Sequence, residues 1–167
     1  MSGNRDIDVI IVGAGLFGVA TGCFLARRGL CVTILERGHV GAQSSGANFG
    51  SLRLQGRAAG QYPLSLRAQA LWEEFEAVFG EPCEYDRTGH VYFARDEAGR
   101  AKLHTYARAS VEAGLDIEVL EGEALRTRLP FLSPDADVAT LSRRCATANP
   151  RLATPAIARA FLRAGGR

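Results

Sequence analysis

The sequence is poor in the residues that hold metal ions or disulfide networks. It contains only four cysteines and three histidines among 167 residues. No two cysteines form a C-x-x-C pair, and the histidines stand far apart in the chain. Structural zinc sites and disulfide frameworks need closely spaced ligands or recurring cysteines. We therefore predict no metal site, and we predict a reducing, cytoplasmic environment.

The chain also lacks a concentration of charge of one sign. Twenty Lys and Arg residues face 18 Asp and Glu residues, which leaves a formal net charge of +2. Adjacent basic residues occur only as Arg27-Arg28 and Arg143-Arg144. Binding of nucleic acid usually needs a continuous basic face. We therefore expect no nucleic-acid partner.

One uncharged run approaches the length of a membrane span. Val9–Ala26 holds 18 residues without a charge, close to the minimum for a transmembrane helix. The run contains four glycines, however, and glycines at Gly13 and Gly15 suit a turn better than a uniform helix. We interpret the run as a buried strand, a turn and a helix, and we expect no transmembrane span.

The first 36 residues have the pattern of a βαβ unit. Ile7–Val12 and Cys31–Leu35 are short runs rich in β-branched residues, typical of strands buried in a parallel sheet. Between them, Leu16–Arg28 carries apolar residues at helical spacing and ends at Gly29. Such a unit is right-handed with parallel strands. The sequence therefore predicts a parallel pair with a helix packed across it.

The turn of this unit carries the glycine pattern G-x-G-x-x-G from Gly13 to Gly18. In this context Gly13 permits a tight turn, Gly15 lets the backbone approach a diphosphate, and Gly18 lets the helix pack closely on the strand. Glu36 ends the second strand, where a carboxylate can accept hydrogen bonds from a ribose and disfavours the 2′-phosphate of NADP. The pattern predicts a dinucleotide site and leaves FAD and NAD both open.

The middle of the chain predicts a mixed arrangement of helices and strands. A Gly/Ser/Asn-rich loop runs over residues 38–60. An amphipathic helix then opens at Pro63, places Leu64, Ala68, Leu71, Phe75 and Val78 on one buried stripe, and ends at Gly80. Cys83–Asp86 and His90–Ala94 flank an Arg-Thr-Gly turn, which indicates a hairpin.

The second half of the chain alternates the same kinds of element. We predict a helix from Asp96 to Gly114, an extended segment, a loop bracketed by two prolines, a weaker strand and a final helix. In the first helix Leu103, Tyr106 and Val111 should point inward. The remaining segments are Asp116–Leu120 (extended), the loop around Pro130 and Pro134, Asp137–Ala146 (strand), and a helix capped by Thr154 with Pro155 in its first turn.

Three short stretches resemble the flavoprotein family of D-amino-acid, glycine and sarcosine oxidases and dehydrogenases. They are Val9–Gly15, Leu35–Gly38 and Ser44–Gly50. The sequence of Ser51–Arg57 is similar to that of the hydrogen cyanide synthase and opine oxidase branch. Ala148–Pro155 resembles the segment in which such enzymes return from the substrate domain to the nucleotide domain. The resemblance covers nearly the whole chain, with its specific motifs in the first 60 residues.

This resemblance implies non-covalent FAD as the cofactor. No residue from Gly41 to Gly50 is a histidine that could link to flavin. Arg53 could approach the flavin ring, and no residue is assigned a catalytic role. The resemblance implies these cofactor-binding residues: Gly13, Ala14, Gly15, Leu16, Phe17 and Gly18 for the diphosphate turn, Glu36 and Arg37 for the ribose, and Ser44, Ser45 and Asn48 for the ribityl and diphosphate side.

The expected fold class is α/β. It comprises a Rossmann-type βαβ FAD-binding unit and the start of an inserted α+β substrate domain, truncated before the fold is complete. We expect residues 1–60 to form the FAD-binding unit, 61–147 part of the substrate domain, and 148–167 the returning helix. Two parallel strands alone would leave open edges and an uncovered face. We therefore expect a fragment, a truncated reading frame or one piece of a split protein.

Three functions fit these patterns. The first is the front part of an FAD-dependent oxidoreductase that oxidises an amine or amino acid by hydride transfer to flavin, and that is inactive alone. The second is a non-catalytic nucleotide-binding subunit completed by a partner chain. The third is a fragment of an NAD-dependent dehydrogenase. This function is disfavoured by the Ser/Gly/Asn loop and by the long segment that is inserted after only two strands. The expected substrate is a small amine or amino acid.

Overall fold

The computed structural model describes residues 6–167. The chain divides into two compact units. The first takes in the chain up to Gly50, Leu71–Tyr85 and Ala148–Arg167, and the second takes in Ser51–Ala70 and Asp86–Thr147. Both units are therefore assembled from separate segments of the sequence.

The first unit contains the expected parallel pair. Strand β1 (Val9–Val12) pairs in parallel with strand β2 (Val32–Leu35), with Val9 opposite Val32. Helix α1 (Leu16–Ala26) connects them, and Gly29 follows it with φ of +87°. The prediction of a βαβ unit is confirmed. Strand β1 begins two residues later than the predicted run Ile7–Val12, and strand β2 begins one residue later than the predicted run Cys31–Leu35. In the described part of the chain, residues 6–167, no helix combines the length and hydropathy that crossing a bilayer requires.

Helix α6 (Pro150–Arg163) packs on α1 at a point where α1 has no side chain. A Cβ atom on Gly22 would lie 2.9 Å from Cδ1 of Ile34 and 3.2 Å from Cε2 of Phe161. Ile34 and Phe161 thus fill the space beside Gly22. This contact lets helices α1 and α6 approach closely over the same face of the sheet.

The start of α6 corrects the prediction for the last helix. We expected Thr154 to cap it, but Asn149 is the cap, and its Oδ1 accepts a hydrogen bond from the Arg151 amide. Pro150 takes the first helical position, so the helix begins one turn earlier and Pro155 lies inside it. The Asn149 amide donates to the Cys83 carbonyl at 2.8 Å, and this contact fixes the chain where the helix starts.

The chain returns to the sheet after α6. The Arg167 amide donates to the Val32 carbonyl at 3.0 Å, and the Ile34 amide donates to the Arg167 carbonyl at 2.6 Å. Two bonds that straddle Thr33 in this way are the pattern of a parallel bridge. The backbone of Arg167 therefore lies along the edge of β2 that β1 does not occupy.

The region that we predicted as one amphipathic helix contains two. Helix α2 (Tyr62–Glu73) and helix α3 (Phe75–Phe79) are separated at Glu74, whose φ of −98° and ψ of 15° interrupt the helical path. Leu64 is 74% exposed and Leu71 is also exposed, so the predicted buried stripe is wrong for these two residues. Phe75 of the predicted stripe is buried as expected, and Phe79, which was not part of that stripe, is buried as well.

An ion cluster fastens the end of α3 to α6. Both carboxylate oxygens of Glu81 accept hydrogen bonds from Arg159, and Arg163 donates to Oε1 at 3.1 Å. Arg163 also donates to the Phe79 carbonyl at 2.5 Å. The two guanidinium groups hold the pKa of Glu81 at about 2. Glu81 therefore stays ionised well below the usual range of a carboxyl group.

We expect Glu81→Gln to lower the melting temperature at neutral pH by a few degrees at most, because exposed ion pairs contribute little. The folded pKa of Glu81 is depressed, so its contribution is complete above the unfolded pKa of 4.5 and is lost as the pH falls toward 2. The difference in melting temperature between wild type and variant should therefore shrink across that range. A difference that stays constant down to pH 2 would contradict the ion-pair assignment.

The second unit contains a three-stranded antiparallel sheet. Strand β6 (Val138–Ser142) lies in the middle, flanked by β4 (His90–Ala94) and β5 (Glu118–Glu121). Helices α4 (Glu97–Glu112) and α5 (Gly122–Arg128) flank this sheet. Tyr106 of α4 contacts Tyr92 on one face, and Leu125 of α5 packs with Ala139 on the other. The sheet is therefore covered by one helix on each face.

The structure corrects two further predictions in this unit. There is no hairpin: Asp86 pairs with Thr147, and β4 pairs with β6 instead of with Cys83–Asp86. The predicted extended segment Asp116–Leu120 is largely strand β5, but helix α5 follows it where we expected no helix before the loop around Pro130. A short antiparallel pair, β3 (Ser51–Leu52) with β7 (Ala146–Thr147), completes the unit.

The prediction of helix α4 is largely confirmed. Asp96 caps it by accepting a hydrogen bond from the Gly99 amide at 2.7 Å, and Gly114 follows it with φ of +88°. Val111 is 52% exposed, however, so its predicted inward position is wrong.

Candidate functional site

The glycine turn lies between the end of β1 and the start of α1. Gly13 has φ of +101°, which favours glycine. A Cβ atom on Gly18 would lie 2.0 Å from the Gly13 carbonyl oxygen, which leaves no room for any side chain. Gly15 is the N-cap of α1 and offers no side-chain acceptor to the first helical amides. The sequence therefore builds a tight turn in which the N-cap residue itself places no side chain over the positive end of the helix.

Glu36 lies where β2 ends, directly beside this turn. Its Oε2 accepts a hydrogen bond from the Ala14 amide at 2.8 Å, and its Oε1 accepts one from the Gly38 amide at 2.8 Å. These two amides, with the charge of Arg37, lower the pKa of Glu36. Each oxygen keeps a second lone pair for an outside donor. The exposed carboxylate is thus ionised, oriented and able to accept further hydrogen bonds.

The loop of residues 41–50 is fastened to the turn by two hydrogen bonds. The Gly41 amide donates to the Ala14 carbonyl at 3.0 Å, and the Leu16 amide donates to Oγ of Ser45 at 2.9 Å. A Cβ atom on Gly15 would lie 3.0 Å from the same Oγ. Glycine at position 15 therefore permits Ser45 to approach the helix end.

Asn48 holds the same loop in shape with its side-chain amide. Its Nδ2 donates to the carbonyls of Ser44 and Ser45, and its Oδ1 accepts from the Gly50 amide at 2.8 Å. The amide group of Asn48 is therefore engaged by the loop backbone. Ser44 is exposed.

A cleft of about 430 Å³ lies along the turn, the end of β2 and the loop. Five residues assigned to the cofactor from the sequence line it: Gly13, Gly15, Glu36, Arg37 and Ser45. The other six do not: Ala14, Leu16, Phe17, Gly18, Ser44 and Asn48. Ala14 and Leu16 contribute indirectly, because their amides orient Glu36 and Ser45. Phe17 is 89% exposed, and Gly18 acts through packing.

Six lining residues were missed by sequence reasoning: Val12, Leu35, His39, Gly41, Ala42 and Gln43. Val12 and Leu35 directly precede the predicted site residues Gly13 and Glu36, and the other four lie between the recognised stretches Leu35–Gly38 and Ser44–Gly50. The carboxyl ends of the two parallel strands meet at one sheet edge, so Val12 and Leu35 could have been inferred from strand direction. The positions in the loop depend on the Gly41 hydrogen bond, which no local pattern announces.

Arg53 lies in the second unit. Its Nη1 donates to the Tyr92 hydroxyl at 2.7 Å, and its carbonyl accepts a hydrogen bond from Nε of Arg57 at 2.8 Å. The guanidinium group is therefore held on strand β4 by a neutral partner.

Known proteins resemble this chain over most of its length. A family model described as FAD dependent oxidoreductase matches residues 8–167. N-methyl-L-tryptophan oxidase of Salmonella arizonae is 38% identical over 127 residues, which cover 74% of this chain and 33% of that protein. Monomeric sarcosine oxidase of an Arthrobacter species is 32% identical over 134 residues, 78% of this chain and 34% of that protein.

Solved structures match the fold of this chain over nearly its whole length. An L-amino acid deaminase from Proteus myxofaciens superposes with a TM-score of 0.87 and 27% identity, over 97% of this chain and 37% of that one. Glycine oxidase from Geobacillus kaustophilus superposes with a TM-score of 0.88 and 25% identity, over 96% of this chain and 45% of that one. The expected α/β fold is therefore confirmed.

The chain spans about a third of the length of the curated relatives that it matches. This agrees with the expectation that part of the relatives' fold lies outside these 167 residues. The family match also answers the choice between FAD and NAD, which the glycine pattern left open. The family model covers nearly all described residues and its cofactor is the expected one, so this chain belongs to the FAD-dependent oxidoreductases.

Proposed function

We propose that this chain forms the adenosine-diphosphate-binding front part of an oxidoreductase that oxidises an amine or amino acid with FAD. One observation carries the proposal. The carboxylate of Glu36 and the glycine turn that leads into α1 border the same cleft, and the Ala14 amide joins them by its hydrogen bond to Oε2. An acid for ribose hydroxyls next to a positive helix end for phosphates is the donor and acceptor set that an adenosine diphosphate requires.

The residues present fit this group sterically as well. A Cβ atom on Gly13 would meet no heavy atom within 4 Å, so the turn is open on that side. Gly15 has no side chain that would stand between the helix end and the cleft. Arg37 and His39 line the cleft beside Glu36. The cleft therefore combines open backbone, one carboxylate and basic side chains.

In this proposal the glycines of the turn hold the diphosphate, and Glu36 accepts hydrogen bonds from the adenosine ribose with Arg37 beside it. Ser44 and Ser45 belong to the loop on the ribityl and diphosphate side. Asn48 serves that loop by fixing its backbone rather than by direct contact, because its amide is already engaged. The cofactor is bound non-covalently. The guanidinium group of Arg53 approaches the flavin ring.

The proposed substrate class follows the relatives, whose names specify N-methyl-L-tryptophan, sarcosine, glycine and L-amino acids. When bound, the flavin supplies an acceptor for the hydride from a C–H bond next to an amine nitrogen. The residues of this chain bind and orient the cofactor's adenosine end. An activity assay of the complete enzyme that contains this chain would assign the substrate. Its panel would hold these amines, including glycine for the cyanide-forming branch, and also opines.

The same proposal includes the setting in which the chain works. None of the four cysteines, all within the described residues, forms a disulfide, which supports a reducing, cytoplasmic location. The walls around the flavin ring would come from residues beyond these 167, either in the same polypeptide or in a partner chain. Co-purification of a second polypeptide would identify a partner.

We expect Glu36→Gln to weaken binding of ADP and of adenosine to the chain by about tenfold each, since both ligands carry the ribose. A neutral amide cannot satisfy both the Ala14 and the Gly38 amides, because one of its two ends is itself a donor. Isothermal titration or NMR titration at millimolar ligand gives the affinities. Glu112→Gln, an exposed change on α4, is the matched control.

The pH dependence gives a second readout. The backbone amides hold the pKa of Glu36 below its usual range, so its ribose-accepting form should persist as the pH is lowered from 7 to about 5. Wild-type affinity for adenosine should stay level over this range. Equal affinities of wild type and Glu36→Gln would remove Glu36 from the site, and no binding of ADP by the wild type would contradict the proposed function itself.

A further inference from the structure

Gln55 is a polar residue at a fully buried position of the second unit. It is 0% exposed and lies between β3 and α2. Its Nε2 donates to the His90 carbonyl at 2.9 Å and lies 3.0 Å from Nδ1 of the His90 ring. Its Oε1 is buried and has no hydrogen-bond partner among residues 6–167. An apolar side chain would avoid the cost of that unpaired oxygen, so the presence of glutamine requires an explanation.

The His90 carbonyl determines which end of the Gln55 amide faces the ring. If the amide were reversed, Oε1 would lie 2.9 Å from the His90 carbonyl oxygen, and two acceptors would oppose each other. Both hydrogens of Nε2 are therefore directed at His90, one at its carbonyl and one at Nδ1. Since Nδ1 must accept, the single proton of the neutral imidazole is on Nε2.

The segment that carries Gln55 is fixed on both sides of this contact. The Leu54 amide donates to Sγ of Cys145 at 3.2 Å, and the Gly56 amide donates to the Tyr106 hydroxyl at 2.7 Å. The residue is enclosed as well as anchored, and its amide has no route to solvent. The donor pair is therefore held against the ring of His90.

The other ring nitrogen of His90 faces outward. His90 is half-buried, and within residues 6–167 its Nε2 has no hydrogen-bond partner. The enclosed side-chain atoms that lack a partner in this range are Oγ1 of Thr33, Oγ1 of Thr140 and Oε1 of Gln55, so Nε2 of His90 is accessible. The ring thus has one nitrogen engaged inside the unit and one free for a ligand.

The groups around His90 favour its neutral form. Tyr92 packs edge-on against the ring, with 4.8 Å between the centroids, and Ser142 of β6 lies opposite. Burial lowers the pKa of His90, and the charge of Arg53 lowers it further. Protonation would also place a second N–H at Nδ1, directly against the donor of Gln55.

We infer that Gln55 is a positioning residue that holds the proton of His90 on Nε2, so that His90 meets a ligand as a hydrogen-bond donor and not as a base. The complementary ligand group is an oxygen acceptor. In the oxidation of an amine, His90 is then excluded as the group that takes the proton of the substrate ammonium. Only this last consequence rests on the proposed function.

A purely structural role for Gln55 predicts different behaviour. If the residue only fastens its segment to β4, its replacement changes stability and leaves the proton affinity of His90 as it is. If the amide instead faces Nδ1 with Oε1, the proton is on Nδ1 and Nε2 is a free base. The position of one proton and its affinity therefore distinguish the three arrangements.

The first measurement uses the wild-type 167-residue chain labelled with ¹⁵N at alkaline pH. A long-range ¹H–¹⁵N spectrum shows which ring nitrogen is protonated, and a correlation across the hydrogen bond should connect Nε2 of Gln55 with Nδ1 of His90. Acetate should shift the Nε2 resonance of His90, and methylammonium should not. A proton on Nδ1, the absence of the cross-bond correlation, or a response to methylammonium in place of acetate would overturn the inference.

A series of variants then tests the role of Gln55. We expect Gln55→Met to raise the proton affinity of His90 about fivefold, the equivalent of one hydrogen bond to the neutral ring. Gln55→Glu should raise the pKa of His90 above that of free histidine, because a carboxylate favours the imidazolium. Gln61→Met, at an exposed glutamine, is the matched control and should titrate as the wild type.

Equal pKa values of His90 in the wild type and Gln55→Met would reduce Gln55 to a structural residue and overturn the inference. If a variant does not fold, the wild-type spectrum still decides the position of the proton. None of these measurements involves ADP or FAD. A chain that fails to bind ADP therefore rejects the proposed function without affecting this result, and the two failures are distinguishable.

Discussion

Gly18→Ala should destabilise the chain strongly and abolish its binding of ADP. A Cβ atom at this position would lie 2.0 Å from the Gly13 carbonyl oxygen and 3.2 Å from its carbonyl carbon. Both are backbone atoms of the turn, which cannot move aside as the end of a flexible side chain can. The helix would have to shift away from β1, and it would then lose its packing on Ile11.

The expected cost is about 2–4 kcal/mol of unfolding free energy, the range of severe overpacking. Chemical denaturation of wild type and variant measures it. Gly60→Ala is the matched control, because no heavy atom lies within 4 Å of the added Cβ and its φ is not positive. The control should be neutral or slightly stabilising. A Gly18→Ala variant as stable as Gly60→Ala would show that the turn is not packed as described.

The 167-residue chain alone should show no steady oxidation of amines and should retain little FAD. In the proposed function, the cleft offers a turn for the diphosphate and a carboxylate for the ribose, which would hold only the adenosine end of the cofactor. The curated relatives are about three times longer than the matched part. Catalysis requires the substrate carbon to be held close to the flavin, and a misplacement of about 1 Å costs on the order of a hundredfold in rate.

The experiment adds excess FAD to the purified chain, removes unbound cofactor, and assays sarcosine, N-methyl-L-tryptophan, glycine, proline and D-amino acids with an artificial electron acceptor. The absorbance spectrum reports retained flavin independently of turnover. We expect a nearly colourless protein without activity. Stoichiometric yellow flavin together with sustained turnover would show that these residues suffice for the whole reaction.

The βαβ unit was predictable because every local signal agreed with it. The apolar run before Gly13, the helical spacing after Gly15 and the second run before Glu36 each point to the same parallel pair, which the structure contains. Tight turns of this kind depend on neighbouring residues alone. Local sequence therefore carries enough information for the turn, the first helix and the end of the second strand.

The rest of the fold depends on partners that are distant in sequence. The Arg-Thr-Gly turn satisfied the rules of a hairpin, yet Asp86 forms an isolated bridge with Thr147, and β4 pairs with β6 over five residue pairs. The stripe from Leu64 assumed an unbroken helix and failed at Glu74. Thr154 and Pro155 are a valid start signal, but Asn149 and Pro150 supply an equivalent one a turn earlier.

Sequence reasoning identified residues that line the cleft, but it did not identify the hydrogen bonds that connect them. Glu36 and the glycines were found from their types and spacing. The hydrogen bond from Leu16 to Ser45 was not, because its partners lie 29 residues apart and no periodic pattern joins them. Asn48 stays a predicted residue of the cofactor side, and its hydrogen bonds to the carbonyls of Ser44 and Ser45 could not be inferred from its residue type.

The three-part origin of the first unit bears on how the chain folds during synthesis. The packing of α6 beside Gly22 joins segments that leave the ribosome on the order of ten seconds apart at ordinary translation rates. Meanwhile the residues of the second unit, which end at Thr147, are all synthesised before α6. Until α6 has been synthesised, the early β1–α1–β2 segment therefore lacks the partner that covers one face of α1, and this non-local contact forms slowly. Competence to bind a nucleotide should consequently arise only after α6 has left the ribosome.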